Sequence, residues 1–146
     1  KNKFHVFGGA YWTRSGGWKT SKTTELISID GVVEYGPELP EAVFEHAITS
    51  INSTVSLLSG GATSATSYSP LTWYFNHETN AFSSGPSLLQ DRWGHGSATV
   101  VDKVTKAKIP IVTGGRGYLV CCSPVDLDST ELLINGQWQL GTRGHS

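Results

Sequence analysis

The sequence contains no methionine, only two cysteines and few charged residues, which make up 16% of the chain. It has no apolar stretch near the roughly 18 residues that a membrane-spanning helix requires. No segment keeps a helical period of apolar residues. Long-helix proteins are richer in Ala, Glu, Lys, Leu and Met, whereas this chain has 17 glycines and abundant Ser and Thr. These features predict an all-β protein without a membrane span.

Positive and negative charges nearly balance, giving a formal net charge of −1 over 146 residues. Because no run of like charges is present, the sequence offers no basic patch for nucleic acid or anionic lipid. Phosphate loops, nucleophile elbows and metal-ligand spacings are also not recognisable. We therefore expect a protein that is not an enzyme, with no catalytic residue, metal or cofactor, and a single region spanning 1–146.

Two local features bear on the cellular compartment. Cys121 and Cys122 are adjacent, and neighbours rarely form a disulfide with each other because its geometry is strained. Two buried thiols are expected, and pairing with a partner outside the chain is the alternative. The sequon Asn52-Ser53-Thr54 lies at a probable turn, which predicts glycosylation of Asn52. This favours a secreted, extracellular glycoprotein, with a cytoplasmic protein as the alternative.

Four sequence markers recur in the same order at a period near 50 residues. Apolar runs end in Gly-Gly at 8–9, 60–61 and 114–115. The other markers are a histidine at 46, 95 and 145, Thr-Glu-Leu at 24 and 130, and Gly-Pro at 36 and 85. The chain therefore divides into repeats at about 1–45, 46–94 and 95–146. Each period predicts four short strands, joined by turns such as Asp30-Gly31 and Asn135-Gly136.

At these residues the sequence resembles Kelch repeats. In that family a strand ends in Gly-Gly, an aromatic strand and a Trp strand follow, and a segment like Arg-x-Gly-His-Ser begins the next unit. Four segments fit this pattern, namely Phe75–Phe82 with Phe82 in the Trp place, Glu131–Trp138, Arg92-Trp93-Gly94-His95-Gly96 and Arg143-Gly144-His145-Ser146. The first repeat departs from it, with Val32 and Val33 in place of Trp and no Arg before His46. The resemblance covers the whole chain.

The resemblance implies blades of four antiparallel strands, stacked as in a β-propeller. Propellers typically have about four to eight blades, and this chain holds about three repeats. It opens on the second strand of one blade and closes on the start of a first strand, so that blade is split between the termini. We expect a partial propeller, with the remaining blades supplied by a longer parent chain or by other copies of this chain.

Loop residues are the candidates for function, because Kelch loops are surface segments on a rigid scaffold. Aromatic and cationic side chains, the favoured anchors of binding surfaces, occur in two of the loops that follow Gly-Gly. They are Tyr11, Trp12, Arg14 and Trp18 in the first loop, and Arg116 and Tyr118 in the third. These side chains either pack against a neighbouring blade or form a binding surface. The resemblance implies a non-catalytic scaffold for a protein or glycan ligand. A structural component of an extracellular assembly, or the non-catalytic part of a larger enzyme, is the alternative.

The histidines and arginines of the repeat have simpler structural roles. His46, His95 and His145 occupy equivalent positions in separate repeats, so we expect hydrogen-bonded structural histidines rather than a metal set. Arg92 and Arg143 are expected to pair with a carboxylate such as Glu25, Glu131 or Asp91.

Overall fold

The computed structural model describes residues 3–118 and 123–141. The predictions on Cys121, Cys122, Arg143 and His145 fall outside these ranges. Within them the regular elements are all strands. The fifteen strands are β1 (Lys3–Phe7), β2 (Ala10–Trp12), β3 (Trp18–Thr20), β4 (Thr24–Ser28), β5 (Val33–Tyr35), β6 (Ala47–Ser50), β7 (Val55–Ser59), β8 (Thr72–Asn76), β9 (Ala81–Ser84), β10 (Gly96–Val101), β11 (Lys108–Thr113), β12 (Arg116–Gly117), β13 (Val125–Asp126), β14 (Thr130–Ile134) and β15 (Gln137–Leu140).

The strands form three main antiparallel sheets, one in each repeat. Sheet I has the order β1-β4-β5, sheet II the order β6-β7-β8-β9 and sheet III the order β10-β11-β14-β15. The all-β, antiparallel prediction is therefore confirmed. Sheets II and III have the predicted four strands, whereas the described residues of sheet I form three, so β1 is an edge strand.

Short insertions follow the three Gly-Gly pairs, and two of these insertions contain paired strands. β2 pairs with β3, and β12 pairs with β13, each as a separate two-stranded sheet. The sequence prediction of a loop over 10–19 is wrong, because Ala10–Trp12 and Trp18–Thr20 form a hairpin. A turn closes it, in which the Thr13 amide donates to the Gly17 carbonyl at 2.9 Å and Gly16 and Gly17 both have positive φ. Two adjacent glycines permit that turn because they lack a Cβ.

The sheets stack face to face around two apolar clusters. The cluster between sheets I and II contains Phe7, Leu58, Trp73 and Phe75, together with Val43 and Leu39 from the segment that joins the two sheets. The cluster between sheets II and III contains Leu57, Leu88, Val112, Leu133 and Trp138. Leu57 and Leu58 are adjacent and both are almost fully buried, because successive strand residues point to opposite faces and both faces of sheet II are covered.

The Gly-Pro marker has a steric origin in the sheets. The Thr24 hydroxyl donates to the Pro37 carbonyl at 2.7 Å, and the Thr72 hydroxyl donates to that of Pro86 at 2.8 Å. A Cβ on Gly36 or Gly85 would overlap the corresponding threonine Oγ1. The marker therefore recurs because only glycine leaves room for this hydrogen bond.

The segments that cross between sheets are held by the Gly-Gly pairs. The Gly9 amide donates to the Val43 carbonyl, and the Gly61 amide donates to the Arg92 carbonyl, both at 2.9 Å. The first strands of sheets II and III also lie side by side, where the Thr49 and Thr99 hydroxyls are 3.2 Å apart. The Gly9–Val43 and Gly61–Arg92 hydrogen bonds thus stand at equivalent positions of successive repeats and join consecutive sheets with the same geometry. No helix in residues 3–118 and 123–141 is long and apolar enough to cross a membrane.

Candidate binding face

The insertions after the three Gly-Gly pairs meet at one end of the stacked sheets. We call this surface the loop face and define it as residues 10–20, 62–69, 116–118 and 125–126. The Thr20 hydroxyl donates to the Thr63 carbonyl at 3.3 Å, which joins the first insertion to the second. Tyr68 stacks on Trp93, which itself pairs with Arg116, so the second insertion is joined to the third. The three insertions therefore form one continuous surface.

Trp12 and Trp18 project from the first insertion as a cross-strand pair on β2 and β3. Their rings meet edge to face, with centroids 5.5 Å apart and planes at 82°. The pair is nevertheless open to solvent, with 62% of Trp12 and 69% of Trp18 exposed. Large aromatic side chains seldom stay this exposed without a partner, because burying them contributes about 1.5–3 kcal/mol each. Of the two alternatives, packing against a neighbouring sheet does not occur within the described residues.

A groove of about 990 Å³ runs between this hairpin and the second insertion. We call it the tryptophan groove. Its apolar walls come from Trp12, Trp18, Phe44 and Ala65, and its polar lining includes Lys19, Glu45, Thr63 and Ser64. Such a mixture of aromatic walls and a few polar groups is typical of sites that bind small molecules or sugars.

Glu45 in this groove has an unusual backbone conformation. Its φ is +53°, in the left-handed region, and the equivalent residue of the next repeat is Gly94 at +60°. A non-glycine residue there stores strain on the order of 1–3 kcal/mol, and such strain concentrates at functional sites. Glu45 therefore lines the tryptophan groove in this strained conformation, at a cost in stability.

The remaining candidates of the first loop point elsewhere. Tyr11 faces a different cavity, which it lines with Val6 and Glu25, because alternate residues of β2 point to opposite sides. Arg14 lies exposed in the hairpin turn and does not line the tryptophan groove. The structure therefore brings Trp12 and Trp18 together and separates them from Tyr11 and Arg14.

Arg116 and Tyr118 belong to a second aromatic cluster on the loop face. The Tyr68 and Trp93 rings are stacked, with centroids 3.5 Å apart and planes at 5°, and Tyr118 lies 5.1 Å from Tyr68. The Arg116 guanidinium carbon lies 5.9 Å from the Trp93 ring, a cation–π distance, and its Nε is 3.1 Å from an Asp126 carboxylate oxygen. Burial, followed by the Tyr118 hydroxyl, raises the pKa of Tyr68. This cluster joins insertions two and three and is more enclosed than the tryptophan groove.

Sequence reasoning did not single out Phe44, Trp93 or Tyr68. A signal for the first two was present, since both stand two residues before the repeat histidines His46 and His95. Tyr68 had no such signal, because it lies 25 residues from its stacking partner and its loop is otherwise small and polar.

Of the repeat histidines, His46 and His95 lie within the described residues, and each has a ring nitrogen without a hydrogen bond there. The His95 Nε2 lies 2.9 Å from the Ser59 hydroxyl, whereas the buried Nδ1 atoms of His46 and His95 have no partner within the described residues. The expectation of fully hydrogen-bonded histidines is corrected accordingly. Burial, then Arg92 and His46, lowers the pKa of His95 to about 4. Residues 3–118 and 123–141 contain no group of three His, Cys, Asp or Glu residues that could hold a metal ion.

Asn52 lies in the exposed hairpin turn between β6 and β7, at the opposite end of sheet II from the loop face. Its side-chain oxygen accepts hydrogen bonds from the Thr54 amide and hydroxyl, at 2.8 and 3.1 Å. A glycan there would project away from the tryptophan groove.

Neither the protein-family models nor the curated proteins include a match to this chain.

Proposed function

We propose that this chain is a non-catalytic binding module that recognises a glycan or a protein through the loop face. The observation that carries the proposal is the exposed Trp12–Trp18 pair beside a polar-lined groove. Indole faces stack on the apolar faces of sugars and on protein side chains. Lys19 and Glu45 supply one donor and one acceptor of charge-assisted hydrogen bonds at the same groove.

We further propose that the scaffold is a set of Kelch-type blades from a partial β-propeller. Support comes from two hydrogen bonds at equivalent positions, Gly9 to Val43 and Gly61 to Arg92, which join successive sheets. The side-by-side packing of β6 and β10 also supports it. In such a scaffold the sheets are rigid and the insertions vary, which suits recognition by loops. The remaining blades would come from a longer parent chain or from other copies.

A second candidate function is a structural part of an extracellular assembly, possessing the Asn52 glycan on its exposed turn. The observation that favours it is the uncovered apolar surface of sheet I, where Phe4, Val33 and Tyr35 are 67%, 53% and 80% exposed. Apolar faces of this kind mark sites of association.

A printed glycan array and a panel of immobilised matrix proteins test the main proposal. The intact chain should bind at least one member, and Trp12→Ala and Trp18→Ala should each weaken that binding by about tenfold or more, as for an aromatic hot spot worth at least 1.4 kcal/mol. Val104→Ser is the control, since Val104 is 88% exposed in the turn between β10 and β11, at the far end of sheet III. Unchanged binding by both tryptophan variants would refute the assignment.

A further inference from the structure

The edge of sheet I and an open cavity beside it form a second candidate site. In sheets II and III, the strands β7 and β11 pair on both sides, with β6 and β8 and with β10 and β14. Their equivalent β1 pairs only with β4 within the described residues. Within residues 3–118 and 123–141 its outer edge therefore has unpaired backbone amide and carbonyl groups, which are the usual template for adding a strand.

In sheet III, the segment that leads into the first strand, β10, contains the buried Arg92. The Arg92 side chain reaches the Glu131 carboxylate through Nε at 3.2 Å and Nη2 at 2.8 Å. Its Nη1 donates to the Gly114 carbonyl at 2.8 Å and to the Ser129 carbonyl at 3.3 Å. Three residues after Arg92, His95 precedes β10. Glu131, Gly114 and Ser129 therefore form an arginine socket.

Sheet II changes both sides of this contact together. Val43 takes the place of Arg92, and Trp73 takes the place of Glu131, and these two side chains share the cluster between sheets I and II. Leu71 stands where Ser129 stands in sheet III. The two partners are thus matched in each sheet. In sheet II the apolar Val43 accompanies the apolar Trp73, and in sheet III the cation Arg92 accompanies the anion Glu131.

Sheet I has the residues of the charged socket. Glu25 is equivalent to Glu131, Thr23 to Ser129 and Gly8 to Gly114. These three residues line one open cavity of about 560 Å³. The Gly8 amide donates to the Thr23 carbonyl at 2.9 Å, as the Gly114 amide does to that of Ser129 at 3.2 Å, so the backbone frame is the same.

No hydrogen bond or ion pair holds the Glu25 carboxylate within residues 3–118 and 123–141. Lys22 also lines the cavity, but its Nζ donates to the Pro40 carbonyl at 3.0 Å. Glu25 is half-buried, and by equivalence with sheet III its carboxylate and the Gly8 and Thr23 carbonyls are the three acceptors of this cavity. A guanidinium has five N–H donors, enough to bond all three.

We propose that sheet I binds an extended partner segment with the pattern Arg-x-x-His followed by a β-strand, the pattern of residues 92–101. Its arginine enters the cavity and pairs with Glu25. The histidine lies against Gly9, as His46 lies against Gly61 and His95 against Gly115. The strand pairs with the open edge of β1. The inference goes beyond the tryptophan groove, because the arginine and strand contacts are made by Glu25 and β1, which do not line that groove.

The test is a binding titration of the intact chain with a fluorescently labelled peptide that has the sequence of residues 92–101. Fluorescence anisotropy of the peptide measures the binding. The expected result is saturable binding that Glu25→Gln weakens about tenfold or more, as for the loss of a paired charge. Glu78→Gln, on the exposed turn before β9, is the matched control and should leave the affinity unchanged.

A charge exchange separates pairing from a fold defect. A peptide with glutamate in place of its arginine should bind the intact chain at least tenfold more weakly, and E25R should restore its affinity. Absence of saturable binding by the unmodified peptide, or equal affinity for the intact chain and Glu25→Gln, would overturn the proposal.

Discussion

The guanidinium Nη2 of Arg92 lies 2.8 Å from the Glu131 carboxylate, and neither side chain has any exposure to solvent. The two residues are 39 positions apart, and the carboxylate also accepts from the Leu89 amide at 2.7 Å. This ion pair fastens the segment between sheets II and III to β14. In the preceding repeat, Val43 stands at the position equivalent to Arg92, and Trp73 at the position equivalent to Glu131.

Removing one partner of this pair should destabilise the chain strongly. Arg92→Ala leaves the buried Glu131 charge unpaired, for which we expect a loss of about 3–5 kcal/mol in the free energy of unfolding. Replacing both residues by Arg92→Met and Glu131→Leu should recover most of that loss, because no charge then remains buried. Urea denaturation followed by circular dichroism measures both.

The exposed ion pair between Lys3 and Glu34, at 2.6 Å, is the control for this prediction. Lys3→Ala should cost at most about 1 kcal/mol, since water already solvates both groups. If Arg92→Ala costs no more than Lys3→Ala, the buried pair does not stabilise the crossing segment.

The sequence predicted a carboxylate partner for Arg92 but left Glu25, Glu131 and Asp91 open. Which carboxylate pairs with Arg92 depends on which strand the segment before β10 contacts. That segment contacts β14, which carries Glu131 and belongs to the same sheet as β10. Asp91 instead accepts a 3.4 Å hydrogen bond from the Tyr118 amide. Local sequence could not distinguish these geometries.

The stability of the chain should fall as the pH drops below about 6.5. His95 has a pKa near 4 in the folded chain, against 6.5 for the unconstrained side chain. The unfolded state therefore binds the proton more tightly, and this group contributes about 2 kcal/mol less stability at pH 5 than at pH 8. Burial lowers the pKa of His46 as well, which adds to the loss in the same direction.

Urea midpoints measured from pH 8 to pH 5 test this effect. The intact chain should lose stability over this interval, and His95→Gln should lose less, because glutamine does not titrate. An equal pH dependence of the two proteins would contradict the assignment to His95.

Glycine at position 60 should resist substitution. Gly60 has a φ of +59°, and a Cβ there would overlap the Arg92 carbonyl oxygen. We expect Gly60→Ala to cost about 3 kcal/mol or more, from backbone strain and the steric clash together. Gly136→Ala is the matched control, with a φ of +76° but no atom within 4 Å of the added Cβ. It should cost only about 1–2 kcal/mol, from the left-handed backbone alone. Equal losses in thermal unfolding would show that the close approach is unimportant.

Glycosylation of Asn52 can be tested independently of binding. Secretion from a eukaryotic host should give a product whose mass falls on treatment with peptide-N-glycosidase, and Thr54→Ala should abolish that change, since the sequon is lost. The turn lies at the far end of sheet II from the loop face, so binding by the tryptophan groove should not change. An unmodified secreted chain would refute the prediction.

Strands and their order followed from the spacing of Gly-Gly and the hairpin turns, because these signals are local. The loop face was harder to predict. Trp12 and Trp18 were recognisable as candidate binding residues, but the hairpin that pairs them and turns Tyr11 to the other side is set by the Thr13–Gly17 turn. The stack of Tyr68 on Trp93 joins two repeats, so its geometry depends on how the sheets pack.

The most direct test of ligand binding by the tryptophan groove is a nuclear magnetic resonance titration of the five tryptophan indole N–H signals. The ligand would be the tightest binder from the glycan array or protein panel. The account predicts that the Trp12 and Trp18 signals shift with ligand concentration, while that of Trp138, which is buried and donates to the Pro86 carbonyl at 2.9 Å, stays constant. Saturable binding that leaves the Trp12 and Trp18 signals unmoved would contradict it.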